Sequence, residues 1–173
     1  MATAAHAATG NPNANFSMSP EARARLRNRE QVRGYYNDMG GNRGNCTYGI
    51  GILVHRGPCT AEELRRPLTA AQVEASHAAA VDEAERAVRR NITNQALTQA
   101  QFDALVSYTY NTGAYGARHT YGLINRGAMQ AAADNISTNI STTVRGRRVV
   151  APGLIERRRE ESAPFRHTPE GAR

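Results

Sequence analysis

The chain has no tryptophan and no lysine, and only two cysteines among its 173 residues. Aromatic residues are 6% of the total. Binding of single-stranded nucleic acid relies on aromatic platforms set among cations, so this scarcity argues against that function. No uninterrupted apolar run approaches the roughly 18 residues of a membrane span, and membrane insertion is not expected. Cys46 and Cys59 are too few and too far apart for a zinc site, and the five histidines are scattered. Neither a metal nor a cofactor is expected. The N-terminus lacks a basic segment ahead of an apolar one, as a secretory signal would have. Residues 1–17 read as a disordered leader or linker, 18–165 as one domain and 166–173 as a flexible tail.

Arginine is what the chain has in place of lysine. Twenty-two basic residues against 15 acidic ones leave a formal net charge of +7. Such a surface attracts polyanions: nucleic acid, anionic lipid or an acidic cell-wall polymer. An apolar fraction of 40% and a charged fraction of 21% describe a globular chain. Its length suits one domain with a sizeable core.

Helix starts are well marked. Ser19-Pro20-Glu21 offers an N-cap, a first-position proline and a first-turn acid. Thr60 to Glu63, Thr69 to Gln72 and Thr98 to Gln101 each fit the capping box. These signals predict helices over about 19–30, 61–66, 70–91 and 99–111, with shorter ones near 119–126, 128–137 and 153–162. Gly113 and Gly127 sit where C-caps belong. Residues 35–54 instead alternate glycines with aromatic and β-branched residues, which reads as short strands. A straight strand from Cys46 to His55 would span about 30 Å. The next four residues return at most about 14 Å, too little to bring Cys59 back. A bend at Gly49-Ile50-Gly51 would make a Cys46–Cys59 disulfide feasible, and two glycines in three residues favour it. The cysteines are therefore either two buried thiols or one disulfide, and a disulfide implies an oxidising compartment. The whole reads as α+β: a mainly helical body with a small antiparallel β-hairpin lobe and an interlobe cleft.

Three residues stand out as chemistry. Glu30 is in line with Ala22 and Leu26 at four-residue spacing, on the apolar side of an Arg-rich helix. Burial and the helix's C-terminal end both push such a carboxyl toward proton donation near neutral pH. Asp38 lies in a polar loop before Gly40 and Gly41. Strand alternation turns Thr47 away from Cys46 and Tyr48, so that its hydroxyl looks toward the cleft. An acid, a carboxylate and a hydroxyl this close together suit glycoside hydrolysis, where one carboxyl protonates the leaving oxygen and the other activates water or attacks. Arg157, Arg158 and Arg159 either face solvent, the default for such a charge run, or buttress the lobe.

The order Ser19-Pro20, Glu30, Tyr36-Asn37-Asp38, Thr47-Tyr48-Gly49-Ile50-Gly51 resembles the phage-type lysozymes, glycoside hydrolase family 24. LTQAQFDALVSYTYNTG (97–113) resembles the family's second signature and GLIERRREES (153–162) its third. The chain departs from the pattern in having Gln31 after Glu30, where glycine is usual, and in a Glu-to-Asp interval one residue shorter. The resemblance implies a lysozyme-like fold and a muramidase that cleaves the β-1,4 bond between N-acetylmuramic acid and N-acetylglucosamine. It gives Glu30 the role of general acid and gives Asp38, with Thr47, that of positioning or activating water. Tyr110 and Asn111 would line the sugar-binding cleft. The implied partner is the peptidoglycan glycan strand, with no nucleic acid. The enzyme would be a monomer working in the periplasm or cell wall, delivered by a pore or a dedicated secretion system. It would be a phage endolysin or the lysozyme domain of an antibacterial toxin; a toxin would have an immunity protein. Two alternatives are a lytic transglycosylase using Glu30 alone and a non-catalytic basic module.

Overall fold

A computed structural model describes residues 10–29 and 33–166. The elements in chain order are α1 (Pro20–Arg29), β1 (Tyr35–Asn37), β2 (Cys46–Tyr48), β3 (Ile52–His55), α2 (Ala61–Arg65), α3 (Ala70–Asn91), α4 (Gln99–Asn125), α5 (Met129–Thr138), β4 (Ser141–Val144), β5 (Arg147–Val150) and α6 (Pro152–Arg166). They form two compact units. The small unit comprises residues 20–83, and the large unit comprises the chain before Pro20 together with everything from Ala84 onward. Among the described residues no helix is long and apolar enough to cross a membrane.

The small unit is organised by its sheet. β1, β2 and β3 pair antiparallel in that order, with Tyr36 opposite Thr47 and Cys46 opposite His55. The register slips between Cys46 and Thr47, so β3 carries one residue more than β2 over this stretch. The chain reverses between β2 and β3 at Gly49 (φ 60°) and Gly51 (φ 106°), where the sequence places the bend. At Gly49 a Cβ would sit 1.9 Å from Oγ of Ser76 on α3, so only glycine allows the turn to approach that helix. Oγ of Ser76 also accepts the Ile50 N–H at 3.1 Å. The bend returns the chain far enough for Cys46 and Cys59 to form a disulfide, with Cα atoms 4.5 Å apart. All three capping boxes form, at Thr60–Glu63, Thr69–Gln72 and Thr98–Gln101.

The large unit packs Val88, Ile92, Phe102, Leu105, Val106, Ile124, Ala132, Ile136 and Phe165 into its core, each at most 2% exposed. Helix α4 is longer than the sequence suggests. Gly113 (φ 72°, ψ 162°) breaks its dihedral path, as a glycine stop should, but the chain resumes helix at once instead of near residue 119. After Asn125 the N–H of Gly127 bonds to Ile124 and that of Ala128 to Leu123, the Schellman arrangement expected of a glycine cap. The sequence reading leaves 138–152 without structure, yet β4 and β5 form a hairpin there. Its two-residue turn, Arg145-Gly146, has φ of 48° and 76°, and positive φ at both positions is what a tight hairpin turn demands.

Two expectations are overturned in this unit. Residues 10–17, read as part of a leader, are bound into the fold. Asn13 is fully buried; its Nδ2 donates to the carbonyls of Ile92 (3.0 Å) and Gln95 (2.8 Å), and its Oδ1 accepts the Leu97 N–H at 2.9 Å. That amide satisfies the backbone between α3 and α4, and Phe16 stacks on Phe102 with centroids 5.4 Å apart. Arg157 and Arg158 are not a solvated face. Arg158 is 1% exposed and Glu161 3%. Nη1 of Arg158 donates to Oε2 of Glu161 at 2.6 Å, while Nε of Arg157 (2.9 Å) and Oγ of Ser107 (2.6 Å) donate to Oε1. Two guanidinium groups and a hydroxyl compensate one buried carboxylate. Arg159 is exposed and pairs with Glu156.

Removing Arg158 leaves Glu161 short of a cation in a dry site. Arg158→Ala is therefore expected to lower unfolding free energy by about 3–5 kcal/mol, whereas Arg159→Ala stays within about 0.5 kcal/mol. Urea unfolding checks both; equal effects would contradict the burial of the Arg158–Glu161 pair. Asn13→Ala, which orphans two carbonyls and an N–H, is expected to cost about 1–3 kcal/mol in the same assay.

Candidate active site

Asp38 opens the loop between β1 and β2 and is exposed. The loop closes on its carboxylate: Oδ1 accepts the Asn45 N–H at 2.8 Å and Oδ2 the Asn45 side-chain amide at 3.3 Å. The Asp38 N–H in turn donates to the Asn45 carbonyl at 3.1 Å. Gly44, at φ 85°, lets the backbone pass so near that a Cβ would meet Oδ1 of Asp38 at 1.9 Å. These contacts hold the carboxylate in one orientation at the surface. Asn37 anchors the loop from below, its Oδ1 accepting the Cys59 N–H at 2.7 Å and its Nδ2 donating to the Gly41 carbonyl at 2.5 Å. The disulfide beside it ties that anchor to β2.

Thr47 is 2% exposed, and its hydroxyl donates to the Tyr36 carbonyl at 3.2 Å. Simple alternation placed it on an open face, but the structure covers both Cys46 and Thr47. The Tyr36 ring lies under the Arg33 guanidinium at 3.7 Å. Glu30 is outside the described residues. Nearby, Arg27 pairs with Glu74 at 2.8 Å and Arg33 stacks on Tyr36. The stripe leading toward position 30 is buried as the spacing predicts, with Ala22 5% and Leu26 2% exposed.

His55 bridges to Glu63, with Nε2 3.0 Å from Oε1. The Arg56 carbonyl, and then Glu63, hold its pKa above the ordinary imidazole value; the Thr60 N–H, and then His55, hold Glu63 below the ordinary carboxylate value.

In the large unit, Asn111 borders an open hollow of about 540 Å³ whose walls include Thr112, Asn139, Ser141, Thr142 and Arg158. The carboxamide oxygen of Asn111 accepts from Nη2 of Arg158, which leaves its NH₂ as the end available to donate. Arg158 also donates from Nε to the Asn139 carbonyl at 2.8 Å and lies 4.9 Å from the centre of the Tyr108 ring. Tyr110, one residue before Asn111, is half-buried. The sequence reading missed Asn45, Asn37 and Arg158 as supports. Asn45 precedes a cysteine in a glycine-rich loop and carried no signal. Arg158 carried one, a glutamate three residues on.

The phage lysozyme family model matches residues 30–161. Among solved structures, an endolysin from Escherichia coli O157:H7 phage FAHEc1 is 28% identical, with a TM-score of 0.66, covering 87% of this chain and 94% of that one. The muramidase domain of SpmX from Asticaccaulis excentricus is 23% identical, also with a TM-score of 0.66, covering 89% of this chain and all of that one. No curated protein matches the chain. The family match runs from the predicted acid, Glu30, through the Asp38 loop and the Asn111 segment to the buried Glu161; the chain belongs to the phage lysozyme family and is a glycoside hydrolase acting on peptidoglycan.

Proposed function

We propose that the protein is a muramidase that hydrolyses the β-1,4 bond between N-acetylmuramic acid and N-acetylglucosamine. The observation that carries this reading is the Asp38 carboxylate, exposed yet clamped by Asn45, in a loop inside the family match. A carboxylate fixed in one orientation suits the activation of a single water. In this reading Glu30 is the general acid that protonates the leaving oxygen. Asp38 takes a proton from the attacking water, and that water adds to the opposite sugar face, inverting the anomeric carbon. Thr47 acts through the β1–β2 register, fixing the Tyr36 carbonyl two residues before Asp38. Tyr110 and the donor end of Asn111 contribute contacts to the glycan, whose N-acetyl groups offer matching acceptors. The site of action is the periplasm or cell wall, where the Cys46–Cys59 disulfide persists. The net charge of +7 draws the enzyme to the carboxylates of stem peptides, an attraction that weakens with salt.

Glu30→Gln is expected to lower turnover of purified sacculi by about 10²–10⁴-fold, with thermal melting unchanged. Near-normal lysis by a folded Glu30→Gln protein would remove the assignment. Asp38→Asn should be similarly impaired and Glu21→Gln should not; the reverse pattern would place the second carboxylate elsewhere.

A further inference from the structure

The β4–β5 hairpin rises from the rim of the hollow beside Asn111. Ser141 and Thr142, at the start of β4, and Ala151, just after β5, belong to the wall of that hollow. In the hairpin register Ser141 stands opposite Val150 and Thr142 opposite Val149. Strand alternation then puts Thr142, Val149 and Arg147 on one face and Ser141, Val150 and Arg148 on the other. The hollow meets both faces at the base, and each face carries one arginine outward from there. Arg145 stands at the turn, and all three arginines are exposed.

Arg27, Arg66, Arg159 and Arg166 are each paired with a carboxylate. Among the described residues Arg145, Arg147 and Arg148 have no acidic partner. Three like charges this close repel one another, and the turn adds a cost of its own. Arg145 holds φ at 48°, a left-handed conformation that asparagine or glycine adopts more readily. Such costs kept at an exposed tip point to a ligand of opposite charge. The apolar surface narrows its nature. Val149 and Val150, 40% and 56% exposed, lie toward the base, while the turn itself is arginine and glycine. A hairpin built to enter lipid would carry its apolar residues at the tip. This order suits instead a chain that leaves the hollow apolar and becomes anionic farther out.

Peptidoglycan offers such a chain. Its stem peptides leave the lactyl group of N-acetylmuramic acid through an alanine. A γ-linked glutamate with a free α-carboxylate follows, and in many walls a diamino acid with a further carboxylate comes next. An extended chain advances about 3.3–3.6 Å per residue, so these carboxylates lie about 7 and 10 Å along the stem. At about 3.4 Å per residue of strand, Arg148 and Arg147 lie about 7 and 10 Å from Val150 at the hairpin base. We propose that Arg147 and Arg148, with Arg145 at the turn, bind the free carboxylates of stem peptides and make the hairpin a specificity element for peptide-bearing glycan. This rests on the muramidase reading, with the glycan in the hollow beside Asn111.

The test compares soluble glycan strands that keep their stem peptides with the same strands stripped by an amidase. The unaltered chain is expected to cleave peptide-bearing strands with the lower KM. Arg147→Gln and Arg148→Gln together should raise that KM about 5–10-fold with kcat unchanged, and leave stripped strands unaffected. Arg25→Gln with Arg65→Gln removes the same two charges from exposed sites in the small unit and should leave KM within about 2-fold. Equal KM for the two substrates in the unaltered chain overturns the proposal. So does an equal effect of the two double variants, the mark of long-range attraction alone, or a loss on stripped strands. Weakened binding of the Arg147/Arg148 variant to phosphatidylglycerol vesicles, with KM unchanged, would assign the hairpin to a lipid surface and overturn it as well. If neither strand is cleaved, the muramidase reading fails; calorimetric binding of the two strands to the same variants then decides the role of the arginines.

Discussion

The large unit depends on satisfying the Glu161 carboxylate out of water. A lone carboxylate there would cost several kcal/mol, so the site exists only because Arg157, Arg158 and Ser107 converge on it. That requirement fixes much else. Arg158, once drawn inward, has donors left over, and these hold the Asn139 carbonyl and the Asn111 amide. Asn139 in turn donates to the Tyr108 hydroxyl at 2.8 Å. One buried charge thereby orders the end of α5, the middle of α4 and the wall of the hollow beside Asn111.

The small unit solves a different problem with covalent and backbone means. A loop rich in glycine has much entropy to lose, and Asp38 is useful only if the loop is still. Asn45 closes it at the carboxylate, Asn37 anchors it to Cys59, and the disulfide fixes Cys59 to β2. For a loop of this size the crosslink contributes at most about 3 kcal/mol to stability. Its larger consequence is positional, since strand, anchor and carboxylate become one frame.

What was legible in the sequence was local. Capping boxes are written within four residues, and all three form. The bend at Gly49–Gly51 followed from chain reach and from glycine's freedom at positive φ. Asn13 was illegible because its partners lie 79 and more positions away, and nothing in a run of small polar residues announces a buried amide. Arg157 and Arg158 were misread because a charge run on a helix is normally solvated; their burial depends on Ser107, 50 positions earlier. The hairpin at β4–β5 had a weak signal, β-branched residues around Arg145-Gly146, that arginine content obscured. Of the candidate site, Asp38 stands at the surface as the loop reading expected, while Thr47 turned inward because the sheet is covered on both faces at that point.

Hydrolysis at muramic acid is reported directly by the chemical form of the new chain end. Mass spectrometry of muropeptides released from purified sacculi should show reducing N-acetylmuramic acid ends, heavier by one water than the corresponding anhydro sugars. Anhydro ends would instead indicate internal ring closure, and reducing N-acetylglucosamine ends would indicate cleavage of the other glycosidic bond; either result rules out a muramidase.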